Sequence, residues 1–130
     1  MALVLPTISS MTASTRTRYV VNLGNAELIP LGEGREFQVG GMAIAVFRTR
    51  DGIFATQVAC PHMGGPLADS LVGANVIVCP MHSCTYEIRT GVPVGHNYGT
   101  LRTFPATINL QGEILVTLED HDPVVMRERS

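Results

Sequence analysis

Two short cysteine–histidine pairs constrain this chain more than any other feature. They read Cys60-Pro61-His62 and Cys79-Pro80-Met81-His82, with sixteen residues between His62 and Cys79. Two soft thiolates and two borderline imidazoles in two short loops make a tetrahedral-type metal environment. Each pair is too close in sequence to be opposed across a core, but suits a loop wrapped around a metal. A proline follows each cysteine and stiffens the turn by fixing φ. Gly64 and Gly65 let the backbone approach closely.

The flanks of this motif repeat a second pattern. Short apolar runs alternate with glycine-containing turns. Arg18 to Leu23 begins regular structure, and Glu36-Phe37-Gln38-Val39 and Met42 to Phe47 flank Gly40-Gly41, a hairpin signal. Arg50-Asp51-Gly52 turns into Ile53-Phe54-Ala55-Thr56. Val76-Ile77-Val78, Tyr86-Glu87-Ile88, the imperfect alternation from Leu101 to Leu110 and the run Glu113 to Leu118 continue the series. Strands of about five residues at short intervals indicate an all-β sandwich or barrel of antiparallel sheets. Short helices are expected only around Ala26-Glu27-Leu28 and Pro66-Leu67-Ala68. Residues 59 to 99 are dense in Gly, Pro, His and Cys and read as an insertion between β-rich flanks.

Composition excludes several function classes. At 130 residues, 45% hydrophobic and net charge -2, the chain is neither disordered throughout nor in need of a metal merely to own a core. All nine basic residues are Arg and lie scattered, so no basic patch argues for nucleic acid. No apolar run approaches the ~20 residues of a membrane-spanning helix. The start, Met1-Ala2-Leu3-Val4-Leu5-Pro6, lacks the features of a secretory signal. The expected location is therefore the cytoplasm, where three cysteines serve more readily as ligands or nucleophiles than as structural disulfides. The Ser/Thr-rich residues 1–17 read as a flexible tail, or as an extension upstream of Met11, and 119–130 as a C-terminal tail.

Cys60-Pro61-His62-Met63-Gly64-Gly65-Pro66-Leu67 and Cys79-Pro80-Met81-His82 through Tyr86-Glu87-Ile88-Arg89-Thr90-Gly91 resemble the Rieske [2Fe-2S] ferredoxins. Leu101-Arg102-Thr103-Phe104-Pro105 extends the likeness, which covers about residues 18–118. The resemblance implies one Rieske domain over 18–118 with a cluster-binding subdomain at about 58–98. It implies one [2Fe-2S] cluster per chain, with Cys60 and Cys79 on the inner iron and His62 and His82 on the outer one. The histidine edges are then the exit for the electron. Met63, Gly64, Gly65, Ser83, Cys84, Tyr86 and Pro93 are expected around the cluster, the last within Gly91-Val92-Pro93-Val94-Gly95, which resembles the family's shielding loop. A Cys₂His₂ zinc site uses the same residue types and would make the chain a non-redox interaction module.

Several positions depart from the high-potential Rieske proteins of cytochrome bc complexes. The extra cysteines that form their disulfide are replaced here by Gly65 and Met81, and the usual glycine after the second histidine is Ser83. Cys84 stands where those proteins place a serine that donates to a cluster sulfide, and a thiol donates more weakly. Taken by itself, Cys84 reads as a small buried apolar filler. Tyr86 matches a tyrosine that donates to a ligand sulfur. Fewer donors to sulfur lower the potential, so the lower part of the range of about −150 to +300 mV is expected. His96 and His121 read as surface histidines, and Arg89 and Arg102 as structural or surface charges.

No second catalytic motif is present. Rieske oxygenase α subunits need a further domain with mononuclear iron held by two His and a carboxylate, for which 130 residues leave no room. The expected function is one-electron transfer, not stand-alone catalysis. The first placement is the ferredoxin of a multicomponent oxygenase, fed by an NAD(P)H-dependent reductase and feeding a terminal oxygenase. The second is the small subunit of an NAD(P)H-dependent nitrite reductase, with that enzyme's large subunit as acceptor. Neither nucleic acid nor membrane is expected as a partner.

Overall fold

A computed structural model describes residues 18–61, 64–73, 75–80 and 84–119. The expected tail 1–17 and residues 120–130 of the other, His121 among them, lie outside the described residues; Glu119, expected to begin the C-terminal tail, instead pairs with Arg18 as the last residue of a strand. Among the described residues every strand pairing is antiparallel, in three sheets. The first joins β1 (Arg18–Asn25), β11 (Glu113–Glu119) and β10 (Ala106–Ile108), in that order. The second has the order β2 (Gly34–Val39), β3 (Met42–Thr49), β4 (Gly52–Gln57) and β9 (Thr103–Phe104). The third joins β5 (Leu71–Val72), β6 (Val76–Val78), β7 (Thr85–Glu87) and β8 (Pro93–Val94). The expected short helices are single 3₁₀ turns at Ala26–Leu28 and Leu67–Asp69.

Strand burial follows from sequence period. In β11, Ile114, Val116 and Leu118 are buried and alternate with half-buried neighbours, as a strand covering one core face requires. β3 differs: Met42 to Phe47 are all buried. Its even positions, Met42, Ile44 and Val46, join Ile53, Ala55, Phe104 and the β11 residues in one core. Its odd positions Ala45 and Phe47 face a second core containing Cys60, Cys79, Cys84 and Tyr86. β3 is thus the wall between a purely structural core and the one that holds the cysteines. A continuous apolar run is what a strand buried on both faces needs.

Gly34 makes the second core possible at its edge. A Cβ there would lie 2.7 Å from the Phe47 ring and 2.9 Å from the Ala68 carbonyl oxygen. The glycine lets β2 close over Phe47, whose side chain is fully buried.

In the first sheet, which with the second encloses the structural core and forms the basal part of the fold, the Glu113 carboxylate accepts from Asn22 Nδ2 on β1 and from Asn109 Nδ2, each at 3.0 Å. The Asn109 bond first, then the Asn22 bond, hold its pKa below the usual carboxylate range, against opposing desolvation. A depressed native pKa contributes stability that is present above the unfolded value of about 4.3 and is lost as pH falls through the native value. Glu113→Gln keeps an acceptor oxygen but cannot titrate. The stability gap between wild type and Glu113→Gln should therefore change only in acid, closing as pH falls; chemical denaturation at stepped pH checks it.

Candidate metal centre

The two cysteine loops are closed by backbone hydrogen bonds. In the first, the Cys60 N–H donates to the Gly65 carbonyl at 2.9 Å and the Gly64 N–H to the Cys60 carbonyl at 2.7 Å. Gly64 takes φ 75°, a left-handed conformation that glycine adopts without strain. An isolated bridge between Ala59 and Pro66 and a bond from Leu67 N–H to the Val58 carbonyl pin the loop's base. In the second loop the Cys79 N–H donates to the Cys84 carbonyl at 2.7 Å. Each loop thus spans six residues and opens from the rim of a short strand or bridge.

These closures bring the thiols together. Cys60, Cys79 and Cys84 are 3%, 1% and 5% exposed and share a core with the fully buried Tyr86. None is in a disulfide. The Tyr86 hydroxyl lies 3.4 Å from Cys60 Sγ. Burial first, then the Cys60 hydrogen bond and the charges of Cys60, Cys84 and Cys79, push the Tyr86 pKa far up. Burial, then the charge and hydrogen bond of Cys60, push the Cys84 thiol up as well. Both shifts favour the protonated forms, and toward a thiolate at Cys60 the Tyr86 hydroxyl would be the donor.

A third loop closes over the same core. Pro93 pairs with Tyr86 and Val94 with Thr85 across β7 and β8. The Glu87 N–H donates to the Val92 carbonyl, and Gly91 bonds Glu87 on one side and Leu101 on the other. Gly99, at φ 131°, approaches the first loop so closely that a Cβ would sit 3.3 Å from Pro61 Cβ. The whole unit hangs from the second sheet. The Gln57 N–H on β4 donates to the Arg102 carbonyl at 2.9 Å, and its side chain accepts from the Arg102 N–H at 2.7 Å while donating to the Ala59 carbonyl at 2.6 Å.

Of the residues singled out in the sequence, Cys60, Gly64, Gly65, Cys79, Cys84, Tyr86 and Pro93 fall in this assembly. His62, Met63, His82 and Ser83 lie outside the described residues. No group of three or more His, Cys, Asp or Glu able to hold a metal stands together among the described residues. The donor chemistry that is described fits an iron–sulfur group: the buried Cys60 and Cys79 thiols, one at the head of each loop, and a hydroxyl within hydrogen-bond distance of one sulfur. Arg89 lies over the Phe54 ring at 5.0 Å and 3.7 Å from Asp51, and Arg102 over Phe104 at 5.6 Å. His96 departs from its reading as a surface histidine. It is partly buried, against Tyr86, with both ring nitrogens within hydrogen-bond distance of the backbone. Its contacts with Thr85 and Tyr86 are tertiary and leave no periodic signal in the sequence.

A profile of the Rieske [2Fe-2S] domain matches residues 19–111. The chain belongs to the Rieske [2Fe-2S] domain family. A ferredoxin named CarAc, from Metapseudomonas resinovorans, is 34% identical over 56 residues, 43% of this chain and 52% of that protein. The match therefore spans about half the length of that relative. The anthranilate 1,2-dioxygenase ferredoxin subunit of Burkholderia cepacia is 37% identical over 76 residues, 52% of this chain and 70% of its own. Among solved structures, a chain in the complex of reduced oxygenase and oxidized ferredoxin of carbazole 1,9a-dioxygenase superposes with TM-score 0.66 at 27% identity, covering 75% of this chain and 91% of its own. A protein assigned as the NADH-dependent nitrite reductase small subunit of Mycobacterium tuberculosis superposes with TM-score 0.72 at 17% identity, over 78% and 96%, a likeness of fold. The all-β Rieske architecture expected from the sequence is borne out, and the Rieske domain implies a [2Fe-2S] cluster. No helix among the described residues is long and apolar enough to cross a membrane.

Proposed function

We propose that this Rieske-family chain carries one [2Fe-2S] cluster, held by Cys60, His62, Cys79 and His82, and serves as the ferredoxin component of a multicomponent oxygenase system. The observation that carries this reading is the convergence of two closed cysteine loops on one buried core, with the Tyr86 hydroxyl 3.4 Å from Cys60 Sγ. Cys60 and Cys79 would supply thiolates and the two histidines neutral imidazoles. When bound, the cluster supplies a site that accepts and gives up one electron at a time. Tyr86 holds its proton toward the Cys60 sulfur, and the buried Phe47, Leu67, Ile77 and Leu101 keep water from the thiols. The complex of oxygenase and ferredoxin in carbazole 1,9a-dioxygenase supports a terminal oxygenase as acceptor; the donor in this reading is an NAD(P)H-dependent reductase. The reading takes 18–118 as one domain with the cluster-binding part at about 58–98, and a cytoplasmic location, where thiols stay reduced.

The fold likeness to a nitrite reductase small subunit supports a second placement, with that enzyme's large subunit as acceptor. Stopped-flow mixing of the reduced protein with a dioxygenase terminal component and with a nitrite reductase large subunit separates the two. Reoxidation by the oxygenase alone supports the first placement; reoxidation by the reductase subunit alone contradicts it.

Donors to sulfur set the potential in this reading. Tyr86→Phe should lower the midpoint potential by about 20–60 mV, the electrical equivalent of a hydrogen bond of ~0.5–1.5 kcal/mol in a one-electron couple. Cys84→Ser should raise it, because a hydroxyl is the better donor. Protein-film voltammetry reads both. An unchanged or higher potential in Tyr86→Phe would contradict the donor role of the phenol.

A further inference from the structure

We propose that His96 is a positioning residue that acts through Tyr86, holding the phenol against Cys60 and so setting the electronic environment of that sulfur. The inference rests on the reading of Cys60 as a cluster ligand. The geometry has three parts. The His96 and Tyr86 rings meet edge to face, with centroids 5.0 Å apart and planes at 87°. His96 Nε2 lies 2.9 Å from the Thr85 carbonyl oxygen, on the residue between Cys84 and Tyr86. The Tyr98 N–H donates to His96 Nδ1 at 3.3 Å.

Together these contacts determine the tautomer. Nδ1 accepts a hydrogen bond, so it carries a lone pair and no proton. The ring proton of the neutral imidazole then sits on Nε2 and donates to the Thr85 carbonyl. Both nitrogens are committed to the backbone, one on β7 and one on its own loop, and the ring is fixed in orientation. Tyr98 adds a tilted contact on the imidazole, with centroids 5.0 Å apart, and itself is 52% exposed. His96 is thereby a peg between β7 and the loop after β8. It closes one side of the slot in which the fully buried Tyr86 ring lies.

A ring held on its side chooses where its hydroxyl points. Tyr86 pairs with Ile77 and Pro93 through its backbone, which fixes the strand but not the rotation of the side chain. The His96 contact supplies that restraint, and a hydrogen bond to sulfur weakens steeply with misalignment.

The test compares the midpoint potentials of the iron-loaded wild type, His96→Phe, His96→Gln, Tyr86→Phe and Tyr86→Phe/His96→Phe, with iron content and melting temperature as controls. His96→Phe fills the same space and keeps a ring edge but loses both hydrogen bonds. His96→Gln retains an amide donor for Thr85. A downward shift in His96→Phe, no larger than that of Tyr86→Phe, smaller in His96→Gln, and absent when Tyr86 is already Phe, is the expected result. Three results would each overturn the proposal: no shift, a shift that persists in the Tyr86→Phe background, and loss of iron in His96→Phe while Tyr86→Phe retains it. In each, His96 either does nothing or acts by a route other than Tyr86. A wild type without iron would instead overturn the cluster reading, and the inference with it.

Discussion

Cys60→Ser is expected to lose the chain's iron and to melt well below the wild type. A hydroxyl replaces a thiolate that alone matches the softness of the site, and serine does not deprotonate at neutral pH. The backbone bonds Cys60 N–H to Gly65 and Gly64 N–H to Cys60 do not involve the side chain, so the loop can still close. The loss should therefore fall on the cysteine core and leave the basal sheets with their own core of Ile44, Val46, Val116 and Leu118. Because metal binding and ordering of the loops are coupled, the lost affinity reappears as lost folding free energy, several kcal/mol or more. The shift in melting midpoint should exceed the roughly 4 °C that ~1 kcal/mol moves in a domain of this size. Iron assay, visible spectrum and thermal melt on one preparation read all three. Cys60→Ser with full iron and the native spectrum would remove Cys60 from the ligand set; the same experiment applies to Cys79→Ser, His62→Ala and His82→Ala.

The second large effect is expected at Gly91, which is not a ligand position. Its φ of 79° lies in the left-handed region. A Cβ there would collide with the Leu101 carbonyl oxygen and crowd Leu101 Cβ, which is 2.9 Å away. That carbonyl belongs to backbone and cannot swing aside. Gly91 also donates its N–H to Glu87 and accepts from Leu101 N–H, so it ties the third loop to the strand leading back to the basal sheet. Gly91→Ala combines strain at positive φ, ~1–3 kcal/mol, with overpacking of a further ~1–3 kcal/mol. The expected loss of about 2–6 kcal/mol exceeds what a surface glycine such as Gly40 would cost, since a Cβ at Gly40 meets nothing within 4 Å. Urea denaturation of Gly91→Ala beside Gly40→Ala isolates the collision, because both positions share positive φ. Equal losses at the two sites would contradict the packing argument.

Particular residues mark how much was legible in the sequence. The hairpin at Gly40-Gly41, the alternation of β11 and the β-branched run of β6 carry strong local signals, and they appear as strands at nearly the expected residues. The run Leu101 to Leu110 does not behave as one unit. Pro105, which has no N–H to give a ladder, separates β9 in the second sheet from β10 in the first. Two-residue strands such as β5 and β8 are too short to have a period, and exist because neighbouring chain presents a partner. At the site, the cysteine loops and Tyr86 were visible because they belong to a compact motif and its resemblance. His96 was not, because its roles depend on Thr85, Tyr86 and Tyr98 meeting it in space. Likewise nothing in the spacing of Asn22, Asn109 and Glu113 announces their shared hydrogen bonds.

That the two loops hold a Rieske cluster is tested by the iron, acid-labile sulfide and zinc content of the purified chain, together with the electron-resonance spectrum of its dithionite-reduced form. Two irons and two sulfides per chain, the composition of one [2Fe-2S] cluster, and a rhombic signal from a cluster with mixed Cys and His ligation are expected. One zinc per chain, with no sulfide and no signal, would contradict the cluster reading and leave a structural Cys₂His₂ site in its place.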